Sequence, residues 1–193
     1  MGRIIVTEFV SLDGVIDTPG GKGDFKYAGW TSDISRGEEG DKFKFDETFN
    51  SEAQLFGRVT YVNFAAAWPS MKGEFSDKFN ALPKYVVSST LKKGDWGNTT
   101  VLNGDMVEQV TNLKKIVDGN IVVHGSAKLV QGLLENNLLD ELRLMIFPVI
   151  LGSGKRLFGD TTDKKRLQLM DSKKVGDGVA ILTYERATGD LKR

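Results

Sequence analysis

The chain reads as an α/β protein with a mixed sheet, parallel in part through crossover helices and antiparallel at its end. Three observations predict this class. Residues 3 to 10, "RIIVTEFV", are β-branched and aromatic, as a buried strand requires. Between residues 99 and 151, strand-length apolar runs alternate with segments of helical period, the rhythm of parallel strands joined by crossover helices. Near the end, Asp177-Gly178 separates "RLQLMDSKKVG" from "VAILTYERA", and glycine's tolerance of positive φ suits a tight hairpin there.

Taken in order, the first strand runs into a turn at "SLDG" and then a long loop, "DGVIDTPGGKGDFKYAGWTSD". Five glycines between positions 14 and 29 make it a surface insertion or a mobile element beside a site. Residues 34 to 50 set Phe43, Phe45 and Phe49 among charges, the pattern of a partly amphipathic helix. "SEAQLFG" is a short strand ending at Gly57, and "RVTYVNFAAAW" a helix stopped by Pro69. After a polar segment come the strands "KYVVSST" and "TTVLNG". "DMVEQVTNLKKIVDG" carries Met106, Val110, Leu113 and Val117 at helical spacing, opened by an acid and closed by glycine. "NIVVHG", "SAKLVQGLLENNL" and "LDELRLMIFPVIL" then repeat strand, helix and strand.

Composition narrows the function classes. The length of 193 residues suits one domain, residues 1–193, with a sizeable core. Lys plus Arg number 26 and Asp plus Glu 26, so no net field draws the chain to nucleic acid or an anionic membrane. The absence of cysteine removes disulfides, thiol nucleophiles and cysteine-bound zinc or iron-sulfur centres. With no apolar stretch of membrane-spanning length and no signal-peptide pattern, a cytoplasmic location is expected. One histidine leaves only carboxylates for a metal, so no metal site is expected. His124 itself ends an apolar strand, where an imidazole hydrogen-bonded in or near the core is expected rather than a catalytic one.

The chemistry sits in the turns. Strands in "LFGRVTY", "VVSSTLKK" and "VVHGSAKL" end in small or hydroxylated segments, and two of them run directly into a helix. Free N–H groups and the helix dipole at such starts suit a phosphate, and glycine at 57 and 125 lets it approach the backbone. Neither G-x-G-x-x-G nor a P-loop is present: in "GSGKRLFG" the sixth residue is Leu157, and Arg156 stands where a P-loop needs Ser or Thr.

The ordered set "VSLDGVI", "LFGRVTYVNF", "YVVSSTL", "IVVHGSAKLVQGLLENNLLDELRL" and "FPVILGSGKRLF" resembles the dihydrofolate reductase-like superfamily and, within it, the riboflavin-biosynthesis reductase (RibD C-terminal) domain family. The resemblance implies a three-layer fold, a mostly parallel sheet binding NADPH across the carboxyl ends of its strands, hydride transfer to a small substrate, and a homodimer. It makes Gly57, Arg58 and Thr60 a phosphate-holding helix start. Ser88, Ser89 and Thr90 become the adenosine-phosphate loop, and Gly125, Ser126, Ala127 and Lys128 the turn under the pyrophosphate. Val10 and Ile16 would flank the nicotinamide, while Ser11, Asp13, Gly14, Trp30, Leu151, Gly152 and Gly154 would line the substrate pocket. Asp13 is the expected proton source, with a turn-forming aspartate as its alternative. The Pro-Trp segment and pterin-gripping helix carboxylate of dihydrofolate reductases have no clear counterpart, although Asp41, Asp46 and Glu47 lie in the corresponding helix. A catalytically inactive nucleotide-binding or sensor module on the same scaffold is the other reading.

Overall fold

A computed structural model of the chain describes residues 1–21 and 23–187. Part of the unit expected over residues 1–193 therefore lies outside the described residues. The elements are β1 (Arg3–Ser11), α1 (Gly37–Phe49), β2 (Ala53–Gly57), α2 (Arg58–Ala67), α3 (Glu74–Ala81), β3 (Lys84–Val87), β4 (Thr99–Leu102), α4 (Met106–Ile116), β5 (Asn120–Val123), α5 (Ala127–Glu135), β6 (Glu141–Phe147), β7 (Leu167–Val175) and β8 (Val179–Arg186). One eight-stranded sheet holds them in the order β4-β3-β2-β5-β1-β6-β8-β7. The six strands from β4 to β6 are parallel, and β8 and β7 join antiparallel at the edge.

Alternation along each strand sends neighbouring side chains to opposite faces, and the core divides accordingly. On one face Ile4, Val6, Leu55, Ile121 and Val123 pack against Val110 and Leu113 of α4 and Leu129, Val130 and Leu133 of α5. Both helices carry their apolar residues at three- and four-residue spacing, so one stripe of each is buried. The opposite face has two clusters: Trp30, Met145, Phe147, Val179 and Ile181 towards the hairpin, and Phe56, Tyr61, Phe79, Val86 and Trp96 towards β3. Full burial of a side chain such as Phe56 or Ile4 contributes roughly 1.5–3 kcal/mol.

Two expectations shift. The segment read as polar after Pro69 contains α3, whose Phe75 and Phe79 stack at 5.8 Å and whose Phe79 is buried. The strand expected through Leu151 ends at Phe147, because Pro148 has no N–H for the ladder.

Candidate cofactor and substrate site

The parallel order places the carboxyl ends of β3, β2, β5, β1 and β6 side by side, so the turns singled out in the sequence share one rim of the sheet. From β1 the chain crosses to β2 on one side, whereas from β5 it crosses to β6 on the other. Such a reversal leaves a crevice outside the strand ends, the usual ligand position in open α/β sheets.

At the centre of this rim the starts of α2 and α5 meet. Their N-caps are Gly57 and Ser126, and neither cap is closed by a side-chain hydrogen bond. The Gly57 N–H donates to the Gly125 carbonyl at 3.0 Å. A Cβ on Gly57 would run into the Ser126 side chain and stand 3.0 Å from the Ser126 nitrogen. Gly125, at φ 101°, is also closely approached: a Cβ there would lie 3.0 Å from Thr60 Oγ1 and 3.3 Å from Glu8 Oε1. Gly57, Thr60, Gly125, Ser126 and Ala127 are thus brought together, with Arg58 and Lys128 exposed on the same two first turns. Two helix starts with free N–H groups at one point favour an anion.

The loop after β3 is partly self-satisfied. Buried Ser88 accepts from the Thr90 and Leu91 N–H groups at 3.2 and 2.9 Å, while Ser89 and Thr90 are exposed. Its hydroxyl oxygen shapes the loop and also lies 3.5 Å from Thr90 Oγ1.

On the other side of the crevice, the loop after β1 is laced to the segment after β6. Asp13 accepts from Ser11 Oγ at 2.6 Å, Leu151 N at 3.1 Å and Gly152 N at 2.8 Å, and Arg156 donates to its carbonyl. Ile16 N donates to the Lys155 carbonyl at 2.9 Å, and Leu157 N to the Gly14 carbonyl at 3.0 Å. Ser11, Asp13, Gly14, Ile16, Leu151 and Gly152 therefore form one braced wall, with Gly154 packed under Val15 and Phe25. The Ser11 hydroxyl and two backbone N–H groups hold the Asp13 carboxyl down at about 2. Both of its oxygens are thereby engaged in the wall, Oδ1 by Ser11 and Leu151 and Oδ2 by Gly152. Val10 and Trp30 are buried, and Trp30 donates its indole N–H to the Asp17 carbonyl and packs edge-on against Phe147 at 5.6 Å.

Two features near the rim went unnoticed in the sequence. Glu8, between Val6 and Val10 on the same strand face, is only 8% exposed, and its Oε1 has no hydrogen-bond partner among the described residues. Burial pushes its carboxyl up to about 8; Lys44 acts against this and Glu47 adds to it. A charged residue on the apolar face of a buried strand was the available signal. The second is an ion pair on the opposite face, where the Lys44 ammonium lies 2.6 Å from the Glu47 carboxylate and 2.8 Å from Thr7 Oγ1. Of the three carboxylates noted in the helix, Glu47 is the buried one. His124, expected as a hydrogen-bonded imidazole in or near the core, has no ring hydrogen bond among the described residues; its neighbours are the rings of Phe56, Phe64 and Phe79 at 5.7, 5.9 and 5.2 Å. Burial first, and the Lys44 cation second, hold its pKa well below 6.5, so the ring is neutral.

Sheet order and rim define a dihydrofolate reductase-like α/β fold. The family model for the RibD C-terminal domain matches residues 3–181, and the chain belongs to that family. It is 29% identical over 188 residues to the uncharacterized protein YyaP of Bacillus subtilis (strain 168), covering 94% of each chain. Among solved structures, it is similar to a protein assigned to riboflavin biosynthesis from Shewanella sp. PV-4, with TM-score 0.78, 23% identity and coverage of 96% of this chain and 99% of that one. It is also similar to dihydrofolate reductase from Enterococcus faecalis complexed with NADP(H), with TM-score 0.59, 14% identity and coverage of 96% and 97%. Family membership supports a reductase-type function. No helix among the described residues is long and apolar enough to cross a membrane.

Proposed function

We propose that the chain is an NADPH-dependent reductase that transfers a hydride to a small heterocyclic or carbonyl-like substrate, in the manner of 5-amino-6-(5-phosphoribosylamino)uracil reductase or dihydrofolate reductase. The observation that carries this reading is the meeting of two uncapped helix starts at Gly57 and Ser126, in the crevice at the carboxyl ends of the strands. The residues present fit a dinucleotide on two counts: the cradle at Gly57 and Gly125 would be filled by a Cβ, and a buried polar atom, Glu8 Oε1, faces it unpartnered. The Enterococcus faecalis neighbour of the same fold is complexed with NADP(H).

In this reading the first turns of α2 and α5, with Gly57, Thr60, Gly125, Ser126, Ala127 and Lys128, hold the pyrophosphate through backbone N–H groups. Arg58 and the exposed hydroxyls of Ser89 and Thr90 take the 2′-phosphate, with Ser88 shaping their loop; a guanidinium suits a phosphate through paired donors. When bound, the dinucleotide supplies the hydride. Val10 and Ile16 flank its reactive end, and the wall formed by Ser11, Asp13, Gly14, Leu151, Gly152 and Gly154, backed by Trp30, shapes the substrate space. Asp13 serves there as an anionic strut that fixes the 151–152 turn, and the proton that accompanies reduction comes from water. A homodimer in the cytoplasm completes the proposal; edge strand β7 exposes Leu169 and Met170, apolar surface suited to pairing.

Titration with NADPH and NADH tests the assignment. Arg58→Ala is expected to weaken NADPH binding about tenfold or more while leaving NADH nearly unchanged. Equal loss for both removes the 2′-phosphate role, and no saturable binding by the folded chain removes the cofactor reading. The engagement of both Asp13 oxygens by Ser11, Leu151 and Gly152 favours a second reading, an inactive nucleotide-binding module. Oxidation of NADPH in the presence of candidate substrates separates the two.

A further inference from the structure

Glu8 stands where a ligand would be recognised rather than where a core would be built. Its strand neighbours on the same face, Val6 and Val10, are 0% and 4% exposed and belong to the main core. The carboxyl points instead at the cradle: Oε1 lies 3.3 Å from the position a Cβ on Gly125 would take, beside Thr60 Oγ1 at 3.0 Å from the same point. Gly125 carries no side chain, so nothing of its own stands between this oxygen and the turn. A buried polar atom without a partner is costly, and such atoms in native structures commonly await a water, ion or ligand.

The charges around it are settled in other ways. From α1, the Lys44 ammonium is committed to the Glu47 carboxylate at 2.6 Å and to Thr7 Oγ1 at 2.8 Å, which leaves that pair internally neutral. From β5, His124 is uncharged within its aromatic surroundings. The charges on the first turns of α2 and α5, Arg58 and Lys128, are exposed. Among the described residues, the carboxyl therefore has no salt-bridge partner of its own.

Resting on the reading of the rim as a dinucleotide site, we propose that Glu8 is one of its binding groups: the carboxyl O–H donates a hydrogen bond to an oxygen of the dinucleotide seated on the Gly125–Ser126 turn. As a carboxylate, the same group would repel a phosphate oxygen in this position; as a carboxylic acid it adds a side-chain donor to the free backbone N–H groups of the two helix starts. Burial, which pushes the group up to about 8, keeps it in the donating form at neutral pH. An anion bound beside it favours that form further, so above pH 8 binding takes up a proton.

The test is the pH dependence of NADPH affinity, measured by fluorescence titration of the whole chain between pH 7 and 9.5. Wild-type affinity is expected to be level near pH 7 and to fall about tenfold per pH unit above 8. Calorimetry in buffers of different ionisation enthalpy should show proton uptake over the same range. Glu8→Gln, which keeps the shape and an N–H donor, should bind with a flat profile, and Glu8→Leu should bind about tenfold more weakly at pH 7. A Glu8→Gln profile that follows the wild type, or wild-type affinity in Glu8→Leu, overturns the assignment. Thermal melts establish that the variants fold, and Glu8→Gln decides the matter if Glu8→Leu does not. Absence of binding by the folded wild type defeats the cofactor reading itself. Binding that is level with pH and equal in all three proteins defeats only the role of Glu8.

Discussion

The two ends of the parallel strands are built to different rules. At the amino ends charges are matched: Arg3 reaches Glu141 at 3.1 Å and Glu185 at 2.8 Å, and Arg143 meets Glu141 at 2.5 Å. Lys114 pairs with Asp140 at 2.5 Å, whose carboxylate also accepts from Ile4 N at 2.7 Å. Buried Lys84 donates to the carbonyls of Asn80, Leu82 and Gly97. At the carboxyl ends, among the described residues, two helix starts lack side-chain caps, Arg58 and Lys128 are exposed, and the Glu8 carboxyl has an oxygen without a partner. A groove of about 570 Å³ opens at the amino end, lined by Phe43, Glu47, Arg143 and Thr183 among others. Its charged walls are already paired, so volume alone is a poor guide to the site. Unsatisfied polar atoms are not confined to the rim either, since both amide atoms of Gln54, near the amino end of β2, are buried without a partner among the described residues.

If the amino end serves stability, its most buried charge should carry the largest effect. The Lys84 ammonium is held by three carbonyl oxygens at 2.6, 2.8 and 3.0 Å and lies over the Trp96 ring, while burial pulls its pKa down to about 8. Lys84→Met would fill the space but leave those carbonyls without their donor. A loss of about 4 kcal/mol is expected in urea unfolding at pH 7, with NADPH affinity of the folded fraction unchanged. A stability loss under about 1 kcal/mol, or a selective loss of affinity, would blur the division between the two ends.

The carboxyl end should show the reverse, a group whose removal helps the fold. The Glu8 carboxyl is raised from 4.5 in the unfolded chain to about 8 in the folded one. Between those values the folded state keeps a proton that the unfolded state has released, so stability contributed by Glu8 is full below pH 4.5 and falls as pH rises towards 8. Glu8→Gln removes that dependence. Unfolding at pH 9 should therefore find the variant more stable than the wild type by a difference on the order of a few kcal/mol, and at pH 5 the two should nearly coincide.

Only the carboxyl-end half of this contrast was visible in the sequence, for definite reasons. The starts of α2 and α5 announce themselves because a glycine or a serine must follow a strand where the backbone turns tightly. The parallel sheet followed from repeated local patterns. By contrast, α3 has only one helical pair, Phe75 and Phe79, and its neighbours read as loop. The wall at Asp13 was obscure because its hydrogen bonds reach across the chain to Leu151 and Gly152, which local pattern cannot supply. Glu8 was legible in principle, since period-two alternation sets it on the face of Val6 and Val10. Without the position of Gly125, however, nothing distinguished a ligand-facing carboxyl from one tilted out to solvent.

A smaller effect tests whether the carboxyl end is uniformly open. Directly after β5 the same segment presents His124 to Phe56, Phe64 and Phe79, an aromatic neighbourhood one residue from the cradle. Burial and the Lys44 cation keep that imidazole neutral when folded, with its pKa well below the 6.5 of the unfolded chain. The sign is opposite to that of Glu8: below pH 6.5 the unfolded chain gains a proton that the folded one refuses, so stability is present above 6.5 and lost as pH falls. In His124→Phe, whose ring can stack in the same place, the acid-side decline should flatten while affinity for NADPH at pH 7.5 is retained. Unfolding curves at pH 7.5 and 5.5 measure the first, and a titration measures the second. A variant that keeps the decline would place its origin in other groups. A variant that keeps stability but loses affinity would mean that the aromatic pocket and the cradle are one site, and that the boundary between packing and binding lies further from Gly125 than the geometry assigns.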